Sequence, residues 1–432
     1  MSQLRTRTRP ARTHLARTHV ARTAGTLALV AVVSLTACST PAASPGVAGE
    51  TVTIGTHTPL TGPAAAGYAS ISAAASAYFD YLNDQGGIHG RTIEYVVKDD
   101  AYNPATTQTV VRELVQEDGV LALVNGLGTP THGSVVDYLN ENGVPDLFVA
   151  SGSPAWDDPE AYPWTFAFNA DYVTEAKVLA HHAQETYDDA VFCVLGQDDD
   201  FGTDFTTGLT TVLGELASTQ TYSVSNQDVT AQVGAMQAAG CTVNFLATVN
   251  GFTALALGTA AKMGYRAQWL SSSSGGDYPT LLGYLGEDVG PALLQGFVST
   301  NYLPFSADDP WVELFRRVND EYNDGAPFTG NTVYGMSVAY TFAEALARAG
   351  EDPTRESLVE ALESGDVVGN GILPLQFSAD SHKAFGGVGI TMVDGGMQDY
   401  VGSAWTTDTG DGPVVAHDGE PVPLEDEGVP QP

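Results

Sequence analysis

Apolar positions fall into two rhythms that take turns along this chain. Short apolar runs at 52–56, 92–98, 120–124 and 147–150 fit strands. Between them apolar residues recur at helical spacing over about 67–85 (Ile71, Tyr78, Phe79, Leu82), 105–118 (Val110, Val111, Leu114, Val115) and 131–142. Strand and helix in alternation predict a parallel, doubly wound sheet. After "DPEAYPWTFAFNADY" the alternation restarts, with helices over about 173–186, 203–217, 230–239 and 252–263 and strands at 190–195, 221–225, 243–249 and 267–270. Helical patterns at 311–322, 332–349 and 355–363 follow. The expected architecture is two α/β lobes with a helical return, and the cleft between such lobes is the default small-molecule site.

One junction departs from plain packing. The strand ending at Val124 runs through Gly126 and Gly128 into Thr129-Pro130-Thr131, where a helix is expected to begin. A hydroxyl there can cap a helix. Glycines beside free N–H groups can equally cradle an anion.

The first residues are not part of the fold. Arg5, Arg7, Arg9, Arg12, Arg17 and Arg22 precede an apolar run from Leu27 to Leu35, a length that fits a signal peptide rather than a membrane span. The stretch Leu35-Thr36-Ala37-Cys38 resembles the lipobox of bacterial lipoproteins, which implies cleavage after residue 37 and lipidation at Cys38. "STPAASPGVAG" then reads as a tether, with 38–50 as the linker and the fold starting near 51. The expected location is the extracytoplasmic face of a bacterial membrane. From Asp408 the Pro, Gly and acidic content predicts a disordered tail over 408–432.

The 432 residues include 17 basic and 52 acidic ones, a formal charge of −35, and six of the basic residues lie in the leader. Such an acidic surface disfavours nucleic acid as a partner. No Gly-x-Ser-x-Gly elbow, Cys-x-x-Cys pair or Walker loop occurs, so no enzyme and no cofactor is expected. The aspartates around Phe201 (Asp198, Asp199, Asp200, Asp204) lack the ligand spacing of a calcium loop, so no metal is expected. A disulfide between Cys193 and Cys241 is possible outside the cell. The expected strands offset the two residues by about five positions, roughly 16 Å. Bridging requires Cα atoms within about 7 Å, so two buried thiols are the expectation.

"TPLTG" (58–62), "NDQGGIHGR" (83–91), "DDAYNP" (99–104), "GLGTPTHGSV" (126–135) and "QDDDFGTDF" (197–205), in this order, resemble the leucine/isoleucine/valine-binding type of periplasmic binding protein. "GVPDLFVASGSPAWDDPEAYPW" (143–164) is similar to a branch that carries hydrophobic or aromatic carboxylates as well as amino acids. The resemblance implies a type I periplasmic-binding-protein fold in which two doubly wound lobes are joined by a three-crossing hinge. The crossings fall near 166–170, near 296–301 and between 375 and 393. The N-terminal lobe is then 51–168 plus 300–375, and the C-terminal lobe 169–299 plus 376–407. Implied partners are an ABC permease with its ATPase and a small ligand trapped by closure, in a protein that is monomeric.

The same resemblance places ligand-binding residues. Thr129 with Gly128, and Ser151 with Gly152, face the ligand carboxylate; Gly152 stands where a threonine is usual in the amino-acid binders. Phe201, Tyr68, Phe252 and Tyr334 occupy positions near the family's aromatics. Ser273 stands where α-amino-acid binders carry an acid for the ligand ammonium, and the nearest acid is Asp277. An unpaired ammonium in a closed cleft is costly. A hydrophobic or aromatic carboxylate without an amine is therefore expected, with a hydrophobic amino acid, or a receptor that presents ligand to a membrane sensor, as alternatives.

Overall fold

The computed structural model describes residues 44–431. The expected leader, the expected lipidation position Cys38 and residues 38–43 of the expected tether lie outside these residues. Among the described residues no helix is long and apolar enough to cross a membrane.

Two sheets carry the fold. The first comprises β1 (Val47–Ala48), β2 (Thr51–Thr58), β3 (Thr92–Asp99), β4 (Leu123–Val124), β5 (Asp146–Val149) and β6 (Thr165–Ala167). Its strands run parallel in the order β3-β2-β4-β5-β6, and β1 turns back antiparallel on the start of β2. The second begins with β7 (Phe192–Gln197), β8 (Ser218–Tyr222), β9 (Val243–Ala247), β10 (Gln268–Ser271) and β11 (Val298–Asn301), parallel in the order β8-β7-β9-β10-β11. Four antiparallel strands extend it: β12 (Gly387–Asp394), β13 (Met397–Tyr400), β14 (Ala404–Thr406) and β15 (Val415–His417).

Helices form at the places the apolar periodicity indicated, and Tyr278–Leu285 and Gly290–Leu294 form where none was expected. Ala65–Asp84 buries Ile71, Tyr78, Phe79 and Leu82, and Gly330–Ala349 packs along it with Met336, Phe342 and Leu346 buried. Asn103 caps Pro104–Gln116 through its side chain, with proline in the first turn, where no backbone donor is needed. The helix expected over 131–142 is in fact two short ones, Thr129–Gly133 and Val136–Glu141, broken at Ser134 and Val135. The chain passes from the first sheet to the second between Ala167 and Tyr172, back between Asn301 and Pro310, and again between Glu363 and Gly387. These are the three crossings of a two-lobed, doubly wound fold.

Two expectations are corrected. Cys193 and Cys241 form a disulfide with Cα atoms 6.0 Å apart. Register sets Cys193 beside Asn244, so the offset is shorter than the strand estimate, and the turn at Gly240 brings Cys241 back toward β7 instead of extending away from it. The segment from Asp408 is not disordered in its described part. β15 pairs with β14, Val422 N donates to Gly371 O, and the Trp311 indole donates to Val422 O. Tyr78 OH reaches Gly428 O at 2.7 Å. The buried Lys177 ammonium is enclosed by Asp408 O, Asp408 Oδ1, Gly410 O and Gly412 O at 2.7–3.0 Å. Low apolar content misled because this tail is held by backbone groups, which composition does not register.

Candidate functional site

The parallel strands of both sheets direct their C-terminal ends at one cavity, as open α/β sheets do at ligand sites. Tyr102 follows β3, Gly128 and Thr129 follow β4, and Ala150 follows β5; from the other side Phe201 follows β7, Asn250 follows β9 and Ser273 follows β10. The cavity holds about 920 Å³ of empty space counted out to its mouth. Asp277 is the one charged side chain on its wall among the described residues. An anionic group there meets neutral donors only.

The loop between β4 and the short helix explains its glycines. Gly128 has φ +102°, and a Cβ there would lie 2.5 Å from both Thr131 Oγ1 and the Tyr102 ring. Only glycine fits this left-handed turn against an aromatic. Thr129 does not cap the helix: the cap position is Gly128, and the Thr129 hydroxyl pairs with Ser151 Oγ at 2.7 Å. Among the described residues nothing accepts from the Thr129 backbone N–H. That donor therefore remains for a ligand on the wall, and the hydroxyl is shared with Ser151.

Ser151 stands fully buried behind Thr129 rather than on the wall, and accepts from Ser153 N. Gly152 is set by crowding. A Cβ there would meet Ala170 O at 2.6 Å and the Tyr172 ring at 2.8 Å. Tyr172 takes that space, lines the cavity and lies against Phe201 with centroids 4.2 Å apart. Sequence reading missed Tyr172, together with Tyr102 and Tyr302, because a tyrosine at a strand or helix end has no signature separating wall from core.

Tyr68 and Tyr334 line the cavity. Tyr68 OH donates to Ser274 O at 2.6 Å, and Tyr334 OH donates to Asn169 Oδ1 at 2.7 Å. Phe252 does not: it is buried against Tyr222, with centroids 4.1 Å apart, and belongs to the core of the second lobe. The lobes are closed on each other. Besides Tyr68 to Ser274, Ser153 Oγ donates to Asp204 Oδ2 at 2.8 Å and Gly330 N to Asp277 Oδ1 at 2.9 Å. Burial pushes the Asp204 carboxyl up to about 6.

The place expected to lack an acid has one close behind it. Ser273 lies on the wall, and its N–H and hydroxyl both donate to Glu175 at 2.7 Å. Thr300, also on the wall, donates to the same carboxylate at 2.6 Å. Burial pushes Glu175 up to about 7, while these three donors pull the other way. Glu175 comes from the helix Tyr172–Thr186, far in sequence from Ser273, so no local motif could have revealed it. Asp277, the expected nearest acid, is engaged otherwise: it caps the helix Tyr278–Leu285 through Thr280 and holds Gly330 N.

Comparison with known proteins agrees with this geometry. A periplasmic binding protein family model matches residues 51–398. The Leu/Ile/Val-binding protein homolog 1 of Brucella suis biovar 1 is 23% identical over 325 residues, covering 74% of this chain and 84% of the relative. A fatty acid ABC transporter substrate-binding protein from Thermomonospora curvata superposes with a TM-score of 0.75 at 24% identity, over 85% of this chain and 95% of that one. A branched chain amino acid ABC transporter from Thermus thermophilus with bound valine gives 0.74 at 22% identity, over 84% and 98%. The chain belongs to the periplasmic binding protein family, which consists of binding proteins rather than enzymes, and it resembles the Leu/Ile/Val-binding members.

Proposed function

We propose that this protein is the solute-capturing component of an ABC importer, lipid-anchored outside the membrane through Cys38, and that it closes two lobes over a small hydrophobic or aromatic carboxylate. The lobes correspond to 51–168 with 300–375 and to 169–299 with 376–407, and a monomer serves a permease and its ATPase. The observation that carries the ligand reading is the wall itself: neutral donors at Thr129, aromatic faces from Tyr68, Tyr172, Phe201 and Tyr334, and no basic side chain. A carboxylate is satisfied by backbone N–H and hydroxyl donors without a counter-cation. Fatty acid in the name of one structural relative fits an amine-free ligand.

A second reading rests on Glu175. Because Ser273 and Thr300 give their protons to Glu175, their oxygen lone pairs are left for a donor on the ligand. An α-ammonium fits that place, which would make the ligand a hydrophobic amino acid such as the valine named for the Thermus relative.

A thermal-shift panel on the purified protein separates the two, since a ligand bound only by the folded state stabilises it in proportion to ln(1 + [L]/Kd). Leucine is paired with 4-methyl-2-oxopentanoate, and phenylalanine with phenylacetate. A shift from the amine-free acids alone supports the first reading; a shift from the amino acids alone replaces it with the second. No shift from either set removes both. Ligand-stimulated uptake with a co-expressed ABC permease distinguishes an importer component from a receptor.

A further inference from the structure

Beneath the loop that carries Gly128 and Thr129 lies a chain of four titratable side chains, each fully buried. Asp100 Oδ2 meets His57 Nδ1 at 2.8 Å, His57 Nε2 meets His132 Nδ1 at 3.3 Å, and His132 Nε2 meets Asp146 Oδ2 at 2.7 Å. Its members come from β2, from the turn after β3, from the helix Thr129–Gly133 and from β5. The same segments supply Tyr102, Gly128, Thr129 and Ala150 to the cavity wall. The chain lies directly against the loop, since a Cβ on Gly126 would sit 2.5 Å from His57 Nε2 and 2.8 Å from His132 Nδ1.

Counting protons decides its state. The chain has three gaps, and a hydrogen bond needs one proton in each. Two neutral imidazoles supply two. If each gave its proton to its own aspartate, bare lone pairs would face each other across the middle gap. If all four ring nitrogens were protonated, two N–H groups would collide there. Three protons satisfy the geometry and either neighbouring count breaks it.

The surroundings are consistent with that count. Asp100 also accepts from Thr107 Oγ1 at 3.0 Å and from Tyr102 N at 2.8 Å, and Asp146 accepts from Thr165 Oγ1 at 3.1 Å. The titratable groups that face His57 are Asp100, His132 and Asp146. Trp156 closes the far side edge-on to His132, with centroids 5.0 Å apart, and brings no charge. Burial lowers the basicity of His57.

We propose that His57 and His132, clamped between Asp100 and Asp146, are positioning residues for the ligand-holding loop, and that they fix it only while the chain carries one proton more than two neutral imidazoles supply. The proposal does not depend on which ligand binds. Two measurements on the whole protein without ligand test it. In nitrogen NMR of the ¹⁵N-histidine-labelled protein near neutral pH, one middle-gap nitrogen, His57 Nε2 or His132 Nδ1, is expected to carry a proton; finding both bare overturns the proposal. In thermal unfolding followed across pH, the midpoint is expected to fall on both sides of a maximum, and that component is expected to be lost in His57→Gln and His132→Gln. Variants that keep the wild-type pH profile overturn the proposal as well. Should either variant fail to fold, the NMR protonation state of the wild type decides.

Discussion

Glu175 accepts two hydrogen bonds from Ser273, one from the backbone N–H and one from the hydroxyl, each 2.7 Å long. A carboxylate is thus placed one atom layer behind the cavity wall, where it polarises the wall without forming it. Its burial has a measurable consequence. The folded-state value is raised to about 7 from the 4.5 of a free glutamate. Between those two values the folded protein holds a proton that the unfolded chain has released. By linkage, the Glu175 contribution makes the fold more stable as pH falls from about 7 toward 4.5. Comparing the denaturation free energy of wild type and Glu175→Gln at pH 5 and pH 8 should show a larger gain on acidification in the wild type. Equal gains would mean that Glu175 does not titrate in this window.

Thr129 tests the anion cradle. Thr129→Val keeps the volume and removes the hydroxyl that pairs with Ser151. If the hydroxyl also meets the ligand carboxylate, affinity should drop by about 1 to 3 kcal/mol. Titration calorimetry with whichever acid shifts the unfolding midpoint measures this. A change of a few tenths would return Thr129 to a purely structural part.

The tail is expected to be structural. Ending the chain after Thr407 removes Asp408, Gly410 and Gly412 and leaves the Lys177 ammonium, 1% exposed, without partners. A buried charge stripped of its partners destabilises by about 3 to 5 kcal/mol. Adding Lys177→Met to the shortened chain should recover part of the loss. Chemical denaturation of the two shortened chains checks it, and no recovery would show that Lys177 is not the source of the loss.

The disulfide should matter to stability in the second lobe. Cys193 and Cys241 are 48 positions apart, and closing a loop of that size stabilises by about 2 to 4 kcal/mol, largely by restricting the unfolded chain. Unfolding with and without a reductant should differ by that amount, and Cys193→Ser should abolish the difference.

Much of this protein was legible in its sequence. Short apolar runs marked β2, β3, β4 and β5, and helical spacing marked Ala65–Asp84, Pro104–Gln116 and Gly330–Ala349 among the helices, because the buried residues of each element are apolar and recur at its own period. The glycines at 126 and 128 flagged the loop that became part of the wall. What depends on contacts between distant segments was not legible. The Cys193–Cys241 bridge follows from the register of β9 on β7 and a turn at Gly240. Glu175 reaches Ser273 only after the helix Tyr172–Thr186 packs beside β11. Phe252 packs on Tyr222 instead of the cavity, and the tail meets Lys177 and Tyr78 through backbone carbonyls. Local patterning determines which face of an element is buried; which residue it meets there is decided only when the lobes assemble.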